Sequence, residues 1–381
     1  MRMRRMGRRR RIRRAGALAA NGALRERSGI QLHGYAMLAR LALPLASLCV
    51  AVAAAAAQPA APRWYRGNTH AHTLNSDGDS PPDVVARWYR QNGYHFTFIT
   101  DHEYVTDVAP LTALLGAANR FLLISGQEIT QLVRDSTHPA GIRQAHVNAL
   151  GTTRAILPMG RNTTTETIAA TYARNIAEVR RAGGIAQVNH PNWHWSVRLA
   201  DMLALPDSVL LEVVNAHVGV NNGGGTDDRG NWSPSTEALW DSLLTRGKVV
   251  FMIADDDSHS FRPENAENPA LTRPGRAWIW VRADTLTHEA ILAAMRRGDF
   301  YGSTGVTLQD VQAGRSTLSL TIAPAGDRRF TTEFVGNGGR VLATVAGNSP
   351  RYAIVGNEGY VRARVTDSQG RKAWTQPVFV R

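Results

Sequence analysis

From residue 63 onward, short apolar runs alternate with amphipathic stretches that have helical spacing. After a short strand at residues 64–65, strands are predicted at residues 94–100, 121–129, 145–150, 185–189, 209–215, 248–254 and 278–281. Helices are predicted at residues 81–92, 107–119, 164–181, 234–245 and 287–296. Such alternation is typical of parallel strands joined by crossover helices, so we predict an α/β fold.

The pattern changes near residue 308 to short alternating runs separated by Gly, Asn and Asp. These runs cover residues 318–322, 330–335, 340–346, 352–355, 360–365 and 373–380. Short strands with turn residues between them predict a small β-sandwich-like module at the C-terminus. We therefore divide the chain into a leader at residues 1–60, a main domain at residues 61–306 and a β-rich module at residues 307–381.

The leader has the composition of a signal peptide. Its first 40 residues hold 12 Arg and one Glu, and an apolar segment with small residues near its end follows at residues 41–57. This order predicts a secretory signal that is cleaved, with a retained membrane anchor as the alternative. Met37 could be the true start of that signal. We expect a periplasmic or secreted protein with no stable membrane insertion after cleavage.

The net charge of +13 raises the hypothesis of nucleic-acid binding, but its distribution argues against it. Outside the first 40 residues the chain carries 32 basic and 30 acidic residues, so the body of the protein is nearly neutral. A general electrostatic contact with a phosphate backbone is therefore not expected. Cys49 is the only cysteine and lies in the leader, which excludes disulfides and thiolate chemistry from the mature chain.

Ligand-type side chains follow the predicted strands. His70 and His72 are two residues apart, so on a continuing strand both rings leave the same face. The complete set is His70, His72, Asp77, His102, Glu128, His146, His190, Asp257 and His259. In a closed parallel barrel the C-terminal strand ends meet on one face, which would bring these side chains together. His138 is the alternative to His146, which is favoured because residues 147–150 extend its strand.

Imidazoles and carboxylates in this mixture suit zinc, manganese or iron. Nine candidate ligands are too many for one ion, because a typical protein zinc site has four ligands. We therefore predict two or three divalent metal ions that share a bridging carboxylate. Glu128 is the best candidate for the bridge, since it is central in order and has a long side chain.

The ordered set of motifs resembles the polymerase and histidinol phosphatase (PHP) superfamily. It runs through His-x-His, Ser-Asp-Gly, Thr-Asp-His, Gly-x-Glu, a single His, His-Pro and Asp-x-His over residues 63–305. The export signal, the stretch at residues 189–193 and the β-rich tail are similar to the exported branch that includes carbaryl hydrolase. The resemblance implies a distorted seven-stranded (β/α) barrel with a trinuclear site.

The same resemblance implies how the ligands divide among three ions. One ion would be held by His70, His72, Glu128 and Asp257, a second by Glu128, His146 and His190, and a third by Asp77, His102 and His259.

The expected activity is hydrolysis by a metal-bridging hydroxide, because bound metal lowers the pKa of water to roughly 7. Asp101 is a candidate partner for the His102 ring, and His217 and His194 are candidates for protonating a leaving group or contacting substrate. Arg134 and Arg143 are candidates for binding a phosphate. A surface or structural role is the competing interpretation for each of these five residues.

A phosphoesterase acting on small phosphate esters is the leading hypothesis. A carboxyl-ester or carbamate hydrolase using the same site is the first alternative, since an activated hydroxide also attacks carbonyl carbon. A metal-binding envelope protein without turnover is the second. In each case the partner is a small molecule rather than a nucleic acid, and the oligomeric state is left open.

Overall fold

The computed structural model describes residues 62–226, 230 and 232–380, so the predicted leader lies outside the described residues. The strands are β1 (Arg63–Asn68), β2 (Phe96–Ile99), β3 (Leu122–Ser125), β4 (Glu128–Arg134), β5 (Ile142–Leu150), β6 (Thr163–Thr164), β7 (Ile185–Val188), β8 (Val209–Asn215), β9 (Gly225–Thr226), β10 (Trp232–Ser233), β11 (Val250–Asp255), β12 (Trp278–Ala283), β13 (Phe300–Ser303), β14 (Leu308–Ala313), β15 (Thr317–Ile322), β16 (Phe330–Gly336), β17 (Arg340–Ala346), β18 (Arg351–Ala353), β19 (Tyr360–Asp367), β20 (Lys372–Thr375) and β21 (Val378–Phe379). The helices are α1 (Pro82–Gln91), α2 (Ala109–Leu115), α3 (Ile168–Arg181), α4 (Leu199–Leu203), α5 (Thr236–Thr245) and α6 (His288–Arg297). Among these described helices, none has the length and apolar character needed to cross a membrane.

Helix α3 shows how the sequence builds the layer that covers the strands. The Thr167 hydroxyl caps its first turn by accepting a hydrogen bond from the backbone N–H of Ala170 at 3.1 Å. Apolar residues recur every three or four positions and are buried, namely Ile168, Tyr172, Ile176 and Val179. The helix predicted at residues 164–181 is therefore confirmed except for its first turn.

The larger sheet joins the first strands of the chain to the last ones. Its order is β17-β16-β19-β20-β13-β12-β1-β2-β3, and β21 pairs with β19. Strands β1, β2 and β3 are parallel, whereas β12 and β13 run antiparallel to their neighbours. After residue 306, β16, β17, β19 and β20 thus extend the main sheet through β13, whereas β14, β15 and β18 form a separate three-stranded sheet. This agrees with the expectation of a β-rich C-terminal part, while the predicted domain boundary at residues 306 and 307 stays a prediction.

The second sheet has the order β11-β8-β7-β5-β4-β6. Strands β7, β8 and β11 are parallel, but β5 runs antiparallel to both β4 and β7. The prediction of parallel strands is therefore wrong for β5, and also for β12 in the larger sheet. A short connection explains the reversal, because the N–H of Asp135 bonds to the carbonyl of Gly141 at 3.1 Å and closes a hairpin. A parallel pair would need a crossover of a dozen or more residues.

The two sheets approach each other at the C-terminal ends of their parallel strands. Single bridges pair Ala71 with Ser258 and His102 with Glu128. These contacts lie outside the named strand pairings, so the described strands do not show one continuous closed barrel. The predicted seven-stranded barrel stays a prediction, and the mixed α/β class is confirmed. The bridges nevertheless bring the ends of both sheets to one place, where the ligand-type residues lie.

Candidate metal centre

The loop after β1 places the first three candidate ligands. The N–H groups of Ser76 and Gly78 donate to the carbonyl of Thr73 at 3.1 and 3.0 Å, which turns the chain back on itself. A Cβ atom on Gly78 would lie 2.6 Å from the His72 carbonyl oxygen, so only glycine fits this close approach. The turn returns Asp77 to His72, where Asp77 Oδ1 lies 3.3 Å from Nδ1.

A first group of four side-chain atoms converges between the two sheets. The Nε2 atoms of His70 and His72 are 3.1 Å apart. Glu128 Oε2 lies 3.1 and 3.3 Å from these two nitrogens, and Asp257 Oδ1 lies 3.3 Å from each. Ligand atoms at tetrahedral zinc distances would be about 3.3 Å apart, so the spacing of His70, His72 and Asp257 fits a single ion, and Glu128 lies at a similar distance from both histidines.

Asp257 gives a second indication that the first group could hold a cation. Its Oδ1 atom is buried and accepts no hydrogen bond within the described part of the chain. Buried carboxylate oxygens are normally paired, because leaving one unsatisfied is costly. An unsatisfied oxygen that faces two ring nitrogens fits a position for a cation, and the first group could hold one.

The second group forms around the other oxygen of Glu128. His146 Nδ1 lies 2.9 Å and His190 Nε2 lies 3.2 Å from Glu128 Oε1. His146 stands in the middle of β5, and so lies within a strand as predicted from residues 147–150. The alternative residue, His138, instead has its Nε2 atom 3.1 Å from the His194 carbonyl oxygen.

The third group surrounds Asp77. His259 Nε2 lies 3.5 Å from Asp77 Oδ1, and His102 Nε2 lies 3.6 Å from Asp77 Oδ2. The Nδ1 atom of His72 is also close to Asp77, so the His72 ring stands between the first and third groups. All nine predicted ligands therefore lie in sets of three that could each hold an ion, with His72 shared by three sets, and with His102 also close enough to His72 and Glu128 to join them.

The charges within the groups are strongly coupled. Burial alone would lower the pKa of His70, but Asp257, Glu128 and Glu212 outweigh this effect and raise it well above the usual value. Burial would likewise raise the pKa of Glu128, yet His70, His102 and His146 hold it well below its usual range. Against the effect of burial, Glu128 and Asp77 raise the pKa of His102 to about 9. Without metal, histidine protons thus balance the carboxylates, and cations could take their place.

A cavity of about 250 Å³ opens over these groups. Trp193 and His217 line it together with eight of the predicted ligands. The Nδ1 atom of His217 accepts the N–H of Gly219 at 3.0 Å, so the neutral ring carries its proton on Nε2. Burial lowers the pKa of His217, which favours that neutral form. His194 is exposed and is not among the lining residues, so its catalytic role stays a prediction.

Asp101 lies behind the loop that carries the ligands. Its carboxylate accepts hydrogen bonds from the Thr73 N–H at 2.7 Å, the Ser76 hydroxyl at 2.9 Å and the Thr106 hydroxyl at 2.7 Å. The His102 Nδ1 atom instead lies 2.6 Å from the Thr130 hydroxyl. The predicted contact between Asp101 and the His102 ring is wrong, and Asp101 holds the loop in place.

The two arginines proposed for phosphate binding do not line the cavity. Arg143 is buried, donates to the Ser196 carbonyl at 2.6 Å and pairs with Asp135 and Asp201. Its guanidinium is therefore committed to a structural network, which corrects the expectation of a substrate contact. Arg134 is exposed at the end of β4.

Glu212, in β8, was missed by the sequence analysis. It is fully buried, and its Oε1 atom lies 2.6 Å from His70 Nδ1. This contact leaves Nε2 of His70 free to face the first group. A single acidic residue inside the apolar run Val209–Asn215 is the signal that could have found it, because an unpaired charge is rarely buried.

Comparison with known proteins shows only distant similarity. A scan against models of protein families finds no match, and no curated protein matches the chain. A two-domain protein from Bacteroides vulgatus ATCC 8482, described as containing a predicted PHP-like metal-dependent phosphoesterase, has 17% identity and a TM-score of 0.44 over 80% of this chain and 91% of its own. An amidohydrolase from Chromobacterium violaceum has 15% identity and a TM-score of 0.32 over 55% of this chain and 93% of its own. Because both TM-scores are low, neither similarity decides the function.

Proposed function

We propose that this chain is a metal-dependent hydrolase of the PHP type that cleaves small phosphate esters. The observation that carries the proposal is the first group, where Glu128 Oε2 and Asp257 Oδ1 each lie 3.1 to 3.3 Å from the Nε2 atoms of His70 and His72. Glu128 also reaches the second group through its other oxygen. A carboxylate between two such groups suits a shared ligand of adjacent ions. When bound, divalent ions lower the pKa of water to roughly 7 and polarise the ester oxygen.

The charge balance of the site favours an anionic substrate. Its candidate ligands include three carboxylates, from Asp77, Glu128 and Asp257, and six histidines that bind metal in the neutral form. With buried Glu212 counted as a fourth carboxylate, two divalent cations would balance the negative charge and three would exceed it, so a site loaded with three ions would attract a phosphate group. His217, with its proton on Nε2, is proposed as the hydrogen-bond donor to the departing oxygen.

A carboxyl-ester or carbamate hydrolase is the second candidate, and the cavity wall favours it. The lining residues described include Trp193 but neither Arg nor Lys. Phosphate sites commonly use such cations, whereas a carbonyl ester has no charge that requires them.

A side-by-side assay tests these proposals. Nitrophenyl phosphate, bis-nitrophenyl phosphate and nitrophenyl acetate are compared on the purified protein, with and without a chelator, and bound metal is measured by elemental analysis. Faster chelator-sensitive turnover of a phosphate ester supports the first candidate, and a preference for the acetate supports the second. Less than two tightly held ions per chain would contradict a multinuclear site, and loaded protein without turnover would indicate a metal-binding protein.

The site of action is a separate proposal. We propose export to the periplasm or the medium on the basis of the leader sequence alone. Fractionation of cells expressing the full chain, with N-terminal sequencing of the mature form, tests both export and the cleavage position.

A further inference from the structure

Glu212 lies beneath the first and second groups and is fully buried. Its Oε1 atom lies 2.6 Å from His70 Nδ1 and accepts a hydrogen bond from the side-chain amide of Gln187 at 2.9 Å. The contact with Nδ1 fixes the His70 ring, since it favours the tautomer whose Nε2 atom is unprotonated and turned toward Glu128.

The other oxygen of Glu212 reaches two further ligands. Its Oε2 atom accepts the backbone N–H of His190 at 2.5 Å and the side-chain amide of Asn215 at 2.8 Å. The same amide of Asn215 donates to Asp257 Oδ2 at 3.0 Å. One carboxylate is thus connected to ligands that follow β1, β7 and β11.

Two of these ligands have unusual backbone conformations. His190 has a φ of 23° and Asp257 a φ of 45°, in the region that residues with a Cβ rarely adopt. Such conformations persist only where surrounding contacts hold them. Glu212 bonds directly to the backbone of His190 and acts through Asn215 on the side chain of Asp257.

We infer that Glu212 is the positioning residue of the metal centre, which sets the His70 ring, the His190 backbone and, through Asn215, the Asp257 carboxylate. It does not serve as a ligand itself, because its two oxygens already have four hydrogen-bonding partners and a carboxylate has about four lone-pair positions. Since it supports ligands of both the first and the second group, its loss should weaken both. The inference rests on the proposed function only in that these histidines bind metal.

The test is a titration of the metal-free full chain with Co²⁺, followed by visible absorption. In Glu212→Gln, an amide NH₂ group replaces one carboxylate oxygen. This NH₂ group then faces the donors whose hydrogen bonds that oxygen accepts in the unmodified chain. We expect the affinity for Co²⁺ to fall about 10- to 100-fold, the range for loss of a residue that orients a ligand. The absorption bands of the residual complex should also shift, because the geometry at the ion changes.

Glu358→Gln is the matched control. Glu358 is a buried carboxylate in the C-terminal part that accepts the N–H groups of Val355 and Gly356, and it should titrate like the unmodified chain. Asn215→Ala is a second variant that removes the connection from Glu212 to Asp257, together with the Oδ1 atom that accepts the His217 N–H, and leaves the contacts of Glu212 with His70 and His190 in place. It should lower the affinity for Co²⁺ less than Glu212→Gln does. In the double variant, Asn215→Ala should add less than its separate effect, because both substitutions act on the same connection to Asp257.

The outcomes separate the two proposals. If the unmodified chain binds no Co²⁺, the proposed function fails. If it binds Co²⁺ and Glu212→Gln shows the same affinity and spectrum, only the positioning role fails. If Glu212→Gln does not fold, by circular dichroism, Asn215→Ala decides, and an unchanged affinity and spectrum in that variant overturn the inference.

Discussion

Glu128 is the residue that connects the most histidines of the candidate metal centre. Its Oε2 atom lies within 3.4 Å of His70, His72 and His102, and its Oε1 atom lies within 3.2 Å of His146 and His190. No other carboxylate of the described site contacts as many histidines. This arrangement explains why a single substitution here should affect two groups of ligands.

We expect Glu128→Gln to lower kcat/KM by at least about 100-fold. Loss of a residue that only supports a ligand lowers activity by about 10- to 100-fold, and Glu128 is itself a proposed ligand. The amide keeps the shape but removes the charge and places an N–H group against ring nitrogens. The measurement is kcat/KM together with metal content. Glu103→Gln is the control, since Glu103 accepts the N–H of Thr130 and does not line the cavity. Normal activity with full metal content would rule out the bridging role.

Substitution of Arg143 should affect stability rather than substrate binding. We expect Arg143→Ala to lower the free energy of unfolding by about 3 kcal/mol, because it leaves two largely buried carboxylates without their partner. KM for a phosphate ester should stay unchanged in the protein that remains folded. Arg134→Ala, at an exposed position, should change neither quantity. A raised KM in Arg143→Ala with normal stability would restore the substrate-binding interpretation.

The candidate ligands could be found from the sequence because histidines and carboxylates recur directly after apolar runs. The direction of a side chain could not be found in the same way. Arg143 faces Asp135 and Asp201 rather than the cavity, and the spacing of residues within the hairpin does not reveal this. Glu212 was missed because its partners are distant in sequence: His70 lies in the loop after β1 and Gln187 lies in β7.

At the level of elements, the loop at residues 69–80 is held by the carboxylate of Asp101, which follows β2. Asp101 accepts hydrogen bonds from both the backbone and the hydroxyl of Thr73, as well as from Ser76 and Thr106. The loop carries His70, His72 and Asp77, so its conformation determines three ligand positions.

We expect Asp101→Ala to lower the free energy of unfolding by about 2 kcal/mol, since several buried donors lose a charged acceptor. Metal affinity should fall with it, and added metal should restore kcat. The measurements are denaturant unfolding and activity against metal concentration. Asp107→Ala is the control, because Asp107 is exposed and its carboxylate accepts only the N–H of Ala109 among the described hydrogen bonds. A kcat that stays low at saturating metal would show a direct catalytic role instead.

The direction of β5 could not be predicted from the alternating pattern of apolar runs. The apolar run was predicted at residues 145–150, but apolar spacing is the same in parallel and antiparallel strands. The absence of a predicted helix between residues 129 and 145 was the available signal for a hairpin. His146 still reaches Glu128, because the middle of β5 lies beside the start of β4.

At the scale of the whole molecule, a buried ionic network joins α5 to the C-terminal strands. Arg362 is fully buried and pairs with Glu237 at 2.8 Å and Asp241 at 2.7 Å, while its guanidinium lies over the Trp240 ring. Burial alone would raise the pKa of Glu237, but Arg362 and Arg364 outweigh it and lower the pKa.

This shift predicts how stability depends on pH. A carboxyl group with a lowered pKa in the folded state stabilises above its unfolded pKa, about 4.3 for Glu, and loses that contribution as the pH falls further. We expect Glu237→Gln to be less stable by about 2 kcal/mol at pH 7 and to lose less stability than the unmodified chain below pH 4.3. Glu289→Gln, at an exposed position, is the control. Parallel curves of unfolding free energy against pH would contradict the prediction.

The individual C-terminal strands were predictable, as the run at residues 340–346 coincides with β17. Their partners were not, because alternation with a period of two does not say which strand lies beside which. The pairing of β20 with β13 therefore appears only in the fold.

The pairing of β20 with β13 also limits how far the chain can be shortened. A fragment that stops at residue 306 would keep every proposed ligand, yet Tyr301, Gly302 and Ser303 would lose the neighbours that now cover their backbone. An unpaired strand edge can form hydrogen bonds with strands of other chains, so we expect such a fragment to precipitate on expression. Supplying residues 307–381 as a separate chain should keep it in solution, and a monodisperse short fragment would show that the appendage is dispensable.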